Sequence, residues 1–211
     1  MPRILVVNPN SSTAVTASIR IALAPLGPHF DVVEVPDGPA TIATAAHVAQ
    51  AGLAFADLVS RTPDADAYVS ACFSDPGVEI ARERTAKPVI GIQEAGTYAA
   101  LAQVDLFGIL ALSERSIARH RRRLRAMGVL SRLAGELALP DVSAEASGSG
   151  DQVFDLACER ISAMSGMGAE AVVLGCAGMS PLRSRLEAET GLRIIDPVTA
   201  AGALALGAVL T

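Results

Sequence analysis

The chain has 211 residues, of which 51% are hydrophobic and 18% charged, so it carries enough apolar material for a buried core and is not a disordered chain. Its formal net charge of −5 argues against nucleic acid and anionic membranes as partners. Three cysteines are too few for a disulfide framework, and we recognise no signal peptide and no apolar run of membrane-spanning length. We therefore expect reduced thiols in a cytoplasmic protein.

Short apolar runs alternate with stretches of helical spacing through the first half of the chain. Strands are predicted at 4–7, 30–35, 67–71 and 89–92. Helices are predicted from the polar turn at 8–13 to about residue 26, and at 43–60 and 76–84. This β-α-β-α order predicts a parallel sheet with helices on both faces.

The same order begins again near residue 106. Strands are predicted at 106–110, 136–142, 171–174 and 192–195, and helices at 113–126, 153–164, 181–189 and 199–210, with a loop at 143–150. The two halves therefore indicate an internal duplication of an α/β lobe, each with a short, mostly parallel sheet flanked by helices. We expect residues 1–96 plus 199–211 to form the first lobe, because the last helix should pack back on it. Residues 97–198 should form the second.

Two cysteines occupy matching places in these halves. Cys72 ends the run DAYVSAC and Cys176 ends the run EAVVLGC; a proline typical of a helix start follows four residues after the first and five after the second. Ligands of parallel sheets bind at the carboxyl ends of the strands, so both thiols are expected at a ligand site. A helix N-terminus close to each thiol predicts a lowered thiol pKa.

A pair of thiols on opposite sides of one carbon could act as base and acid in turn. That arrangement predicts racemisation next to a carbonyl, which needs neither a metal nor an organic cofactor. The alternatives are small core residues or a redox pair. Cys158 has no matching partner and is expected to be a packing residue. A zinc site is not expected, because none of the three histidines stands at ligand spacing from a cysteine.

Polar and small residues next to the strand ends are the candidates for binding a substrate. They comprise two residues of the first polar turn, two that follow Cys72, one that follows the strand at 106–110, and two that follow Cys176: Asn10, Ser11, Phe73, Ser74, Ser113, Ala177 and Gly178. Glu94 either orients the site or is an ordinary carboxylate. Most of the six arginines within 115–125 are expected to project into solvent, and this run is a candidate contact with a neighbouring subunit.

Four motifs spread over nearly the whole chain resemble the aspartate/glutamate/hydantoin racemase superfamily, and in particular its hydantoin racemase branch. They are NPNSS at 8–12, ACFSDPG at 71–77, PVIGI at 88–92 and GCAGM at 175–179. The resemblance implies two pseudo-symmetric lobes with the site in the cleft between them. It also implies cofactor-free, two-base racemisation by Cys72 and Cys176 in a homo-oligomer, with 5-substituted hydantoins or the related ureide allantoin as substrates.

Departures from the family pattern leave the substrate open. Pro197 and Gln93 stand where the family usually has smaller residues. Ala177 and Gly178 replace the Thr-His of amino-acid racemases, which argues against a free amino acid. Decarboxylases of the superfamily lack one of the two thiols, whereas maleate isomerases keep both. An isomerase or racemase of an acyclic acid stays an alternative, although the cysteine motifs contain no Arg or Lys. A non-catalytic, two-lobed binding protein is the other alternative.

Overall fold

The computed structural model describes residues 1–211 and contains two four-stranded sheets, in which every pair of neighbouring strands is parallel. The eight strands are β1 (Ile4–Asn8), β2 (Phe30–Glu34), β3 (Ala67–Ser70), β4 (Val89–Gly91), β5 (Phe107–Ala111), β6 (Leu133–Ala138), β7 (Ala171–Gly175) and β8 (Arg193–Ile195). The orders β2-β1-β3-β4 and β6-β5-β7-β8 are equivalent. The predicted α/β fold of two similar lobes is confirmed.

Eight α-helices connect and cover the strands. They are α1 (Thr13–Leu23), α2 (Ala45–Arg61), α3 (Val78–Arg84), α4 (Ile92–Leu101), α5 (Glu114–Ala126), α6 (Asp151–Gly166), α7 (Arg183–Thr190) and α8 (Pro197–Leu210). None of them is both long and apolar enough to cross a membrane.

Four local predictions were wrong. Helix α4 was not predicted, since no helix was assigned between the strands at 89–92 and 106–110. Strand β6 begins and ends earlier than the predicted 136–142, and a short 3-10 helix (Ala146–Gly148) interrupts the predicted loop at 143–150. The helix expected from residue 181 is preceded by a 3-10 helix (Ala177–Leu182) that contains Pro181.

One continuous apolar cluster joins the two sheets. It contains buried side chains of the central strands of both, including Val6, Val69, Ile109 and Val173. Helix α8 packs against the first half of the chain, where Thr199 Oγ1 donates to the carbonyl of Ala22 at 3.0 Å. This packing agrees with a discontinuous first lobe, although the predicted limit at residue 96 falls inside α4. The lobe limits stay a prediction.

Candidate active site

A cavity of about 440 Å³ lies beyond the carboxyl ends of the strands of both sheets. Cys72 reaches it two residues after β3, and Cys176 reaches it directly after β7. Because β3 and β7 hold the same position in their respective sheets, the two thiols enter the cavity from equivalent places. The structure therefore brings both predicted cysteines to one site.

A tight turn holds the backbone after Cys72. Asp75 adopts a left-handed conformation with φ 45° and donates its N–H to the carbonyl of Cys72 at 2.9 Å. Its carboxylate accepts the N–H groups of Gln93 at 2.7 Å and Glu94 at 3.0 Å, which caps the start of α4. Gly91 leaves room for this carboxylate, because a Cβ there would lie 2.2 Å from Asp75 Cγ. The Cys72 turn is thus anchored to α4.

Cys176 lies where the backbone at Gly178 packs closely against the 3-10 helix at 146–148. The N–H groups of Gly178 and Met179 point to its thiol, and Ser147 Oγ lies 3.7 Å from its Sγ. Gly178 packs against the 3-10 helix at 146–148, so a Cβ on Gly178 would lie 2.4 Å from Ser147 Oγ. A side chain at position 178 would displace the residue that touches the thiol.

The expected lowering of the thiol pKa values was wrong. Burial raises the pKa of Cys72 to about 12, opposed by the N–H of Ser74 and by the charge of Arg119, while the nearby Cys176 raises it further. Burial also raises the pKa of Cys176, opposed by Gly178, Ser147 and Met179. Helix α3 begins only at Val78, too far along the chain for its N-terminus to offset the desolvation of Cys72.

These raised pKa values predict slow, steeply pH-dependent alkylation of the folded protein. Because only the thiolate reacts, we expect iodoacetamide modification of Cys72 to rise about tenfold per pH unit from about pH 7 to about pH 10. The measurement is peptide-resolved mass spectrometry of timed samples. The unfolded chain is the control, and there the rate should level off near the ordinary thiol pKa of ~8.5. A plateau below about pH 9 in the folded protein would contradict the burial argument.

Most of the predicted binding residues also reach the cavity wall. Those that line it are Asn10, Phe73, Ser74, Ser113 and Ala177, whereas Ser11 and Gly178 do not. Asn10 Oδ1 accepts from Asn8 Nδ2 at 3.0 Å and from the N–H of Ser12 at 2.8 Å. The Asn10 amide nitrogen makes no hydrogen bond within the protein, so it is free to donate to a ligand.

Helix α5 forms one wall of the cavity, and this position was not predicted. Arg119 and His120 line the cavity together with the exposed Arg115, and Arg123 is paired with carboxylates of α3 and α4. The predicted projection into solvent therefore holds for four of the six arginines but not for Arg119 and Arg123. The spacing of its buried residues, Ser116, His120 and Leu124, was the available signal. Residues 41–43, 139–142 and 144 also line the cavity without any motif to indicate them.

Glu94, which was either a site residue or an ordinary carboxylate, lies outside the cavity lining. It is buried, accepts the N–H of Gly91 at 3.2 Å and is paired with Arg82 and Arg123. It therefore supports the turn that carries Cys72.

The sequence profile described as Asp/Glu/hydantoin racemase matches residues 4–205. The chain belongs to this racemase family. It is 35% identical to the hydantoin racemase of Paenarthrobacter aurescens, over 94% of this chain and 87% of that protein. It is 34% identical to the hydantoin racemase of Rhizobium meliloti, over 92% and 83% of the two chains. The allantoin racemase structure from Klebsiella pneumoniae superposes with a TM-score of 0.92 at 30% identity, covering 100% of this chain and 88% of that one.

The protein is thus an isomerase of the racemase type, and its departures from the family pattern have structural roles. Gln93 Nε2 donates to the carbonyl of His120 at 3.1 Å, which ties α4 to the cavity wall on α5. Pro197 begins α8 and packs against α4, where a Cβ on Gly96 would lie 2.8 Å from Pro197 Cβ. Neither residue lines the cavity, so the racemase keeps both thiols unobstructed by these changes.

Proposed function

We propose that this racemase inverts the stereocentre of 5-substituted hydantoins or of a related cyclic ureide such as allantoin, without a cofactor, with Cys72 and Cys176 as its two acid/base groups. One observation carries the proposal: two thiols from equivalent strands of the two sheets line a single cavity. The names of the relatives at 30–35% identity support the ring class.

The chemistry follows from the placement of the thiols. One cysteine, as thiolate, takes the hydrogen from C5 of the ring, and the electron pair of that C–H bond moves into the adjacent carbonyl to give an enolate. The other cysteine, as thiol, then gives its proton to the opposite face of C5. The turnover leaves the two protonation states exchanged, which is the state required for the reverse direction.

The raised thiol pKa values act in two ways in this scheme. They make each thiolate a stronger base toward a weakly acidic C–H bond, but they lower its population at neutral pH. The N–H groups directed at the thiols and the guanidinium of Arg119 oppose the second effect. The free amide nitrogen of Asn10 is suited to hold a carbonyl oxygen of the ring, where the negative charge of an enolate develops.

The test is racemisation in buffered D2O. An enantiopure 5-substituted hydantoin is incubated with the enzyme, and optical rotation is followed together with deuterium incorporation at C5 by mass spectrometry. We expect rotation to decay to zero as one deuterium enters each product molecule, faster than in an enzyme-free blank. A panel of ureides that exchange and racemise no faster than the blank would overturn the proposal.

A racemase or cis–trans isomerase of an acyclic acid is the second candidate, and one observation favours it. The cysteine motifs contain no cation, but the structure places Arg115 and Arg119 in the cavity wall, where a guanidinium can bind a carboxylate. Aspartate, glutamate and maleate therefore belong in the same substrate panel. Turnover of one of these acids, with none of any hydantoin or allantoin, would favour this candidate.

One further expectation remains a proposal. We expect a homo-oligomer, and exposed apolar side chains such as Ile21, Leu204 and Leu210 are available for subunit contacts.

A further inference from the structure

His120, a residue of the cavity wall, forms a buried pair with a carboxylate behind it, and the proposed proton transfer does not use this pair. His120 Nδ1 lies 2.6 Å from Glu136 Oε1, and the two side chains are 3% and 0% exposed. The rings of His120 and Phe73, the residue next to Cys72, pack edge to face with their centroids 5.0 Å apart. The pair thus lies beside the first thiol.

The hydrogen-bond partner of Nδ1 determines whether the other ring nitrogen, Nε2, donates or accepts a hydrogen bond. Glu136 Oε2 has no hydrogen-bond partner within the protein, and Arg121 Nε lies 4.0 Å from it. An ionised carboxylate only accepts hydrogen bonds, so toward ionised Glu136 the Nδ1 atom of His120 is the donor. In a neutral imidazole, Nε2 is then an acceptor. His120 lines the cavity and its Nε2 makes no hydrogen bond within the protein, so Nε2 is available to a ligand.

The cavity therefore contains both hydrogen-bond donors and a hydrogen-bond acceptor for a ligand. Asn10 presents a free amide donor, and Ser113 retains its hydroxyl proton because its oxygen accepts from the N–H of Arg115. His120 adds a buried acceptor. A cyclic ureide alternates carbonyl acceptors with N–H donors, so it needs both kinds of partner, whereas maleate has no N–H to give to His120.

We propose that His120 binds the substrate by accepting a hydrogen bond from a ureide N–H at Nε2, and that Glu136 is the positioning residue that fixes this tautomer. This inference rests on the proposed ureide substrate, and it identifies His120 as the residue that distinguishes a ureide from a substrate without an N–H. A site built to pair an N–H discriminates against an analogue that lacks it, because its buried acceptor is then left without a partner.

The experiment couples a substitution in the enzyme to a methyl group on the substrate. His120→Asn keeps a donor to Glu136, so the carboxylate stays paired, but it deletes the cavity-facing nitrogen. We measure kcat/KM of the wild type and this variant on one hydantoin and on its N1-methyl and N3-methyl derivatives. In the wild type, methylation at one of the two nitrogens should cost about tenfold or more. In His120→Asn the parent substrate should lose about tenfold, and the same methylation should cost less than about threefold.

Two more variants separate recognition from folding. His120→Gln places an amide oxygen near the position of Nε2 and should restore part of the discrimination. Glu136→Gln should reduce it, because an amide offers Nδ1 either a donor or an acceptor. Equal methylation costs in the wild type and His120→Asn would overturn the role of His120, and an unchanged cost in Glu136→Gln would overturn that of Glu136. A wild type that racemises no ureide would instead overturn the proposed function itself.

Discussion

Replacement of Cys72 by Ser is expected to lower racemisation of both enantiomers by about a hundredfold or more, and replacement of Cys176 by Ser should do the same. Each full inversion needs one group to take the proton and another to return it from the opposite face. Loss of either thiol therefore stops the cycle in both directions. A serine hydroxyl does not replace the thiol, because its proton is held far more tightly than that of a thiol whose pKa is about 12.

Deuterium exchange distinguishes this mechanism from simple damage to the site. A variant that keeps one thiol can still remove the C5 hydrogen from the enantiomer that faces it and return deuterium to the same side. We therefore expect exchange without inversion for one enantiomer only, and for the opposite enantiomer in the other variant. The readout is chiral chromatography combined with mass spectrometry.

Cys158→Ser is the matched control for these variants. Cys158 lies on α6 outside the cavity and should keep wild-type racemisation when replaced. If either Cys72→Ser or Cys176→Ser racemised within about twofold of the wild type, the two-thiol mechanism would be wrong.

The parts of the site that could be predicted are those encoded locally. The apolar runs before Cys72 and Cys176 specify buried parallel strands, and topology then places the residues after them at the ligand edge. Helix α4 was missed because its start is capped by Asp75, which is distant in sequence and reaches the N–H groups of Gln93 and Glu94 only in the folded chain.

The remaining features depend on how the two halves pack. The thiol pKa values rise because surrounding segments desolvate the sulfurs, and no residue next to either cysteine in sequence indicates this. The arginine-rich pattern of α5 is typical of a solvated helix, yet Arg119 borders the cavity and Arg123 reaches the carboxylates of the other half. The position of α5 between a cavity and an acidic cluster is a tertiary property.

Arg123 is the residue of α5 whose loss should cost the most stability. Its guanidinium donates to Glu79 at 2.7 Å and to Glu94 at 2.8 Å, and its Nε lies 3.7 Å from Asp75 Oδ2. The side chains of Asp75 and Glu94 are only 1% and 10% exposed. Arg123→Met would leave these buried carboxylates with less compensating charge. We expect a loss of about 3 kcal/mol in the free energy of unfolding, measured by urea denaturation.

The matched control is Arg122→Met on the same helix. Arg122 is exposed and forms no ion pair, so its replacement should change the free energy of unfolding by less than about 0.5 kcal/mol. Equal losses in the two variants would show that Arg123 contributes only what any arginine of α5 does.

The loss in the free energy of unfolding caused by Arg123→Met should also depend on pH. The raised pKa of Asp75 determines the direction of this dependence. Burial raises the pKa of Asp75 to about 7, helped by the charge of Glu94 and opposed by its N–H partners and Arg123. The native state therefore holds this proton more tightly than the unfolded chain, and the associated stability is lost as pH rises through about 7. Without Arg123 the native pKa rises further, so the variant loses stability over a wider range. The difference from the wild type should be larger at about pH 8 than at about pH 5. A pH-independent difference would show that the carboxylate of Asp75 does not depend on Arg123.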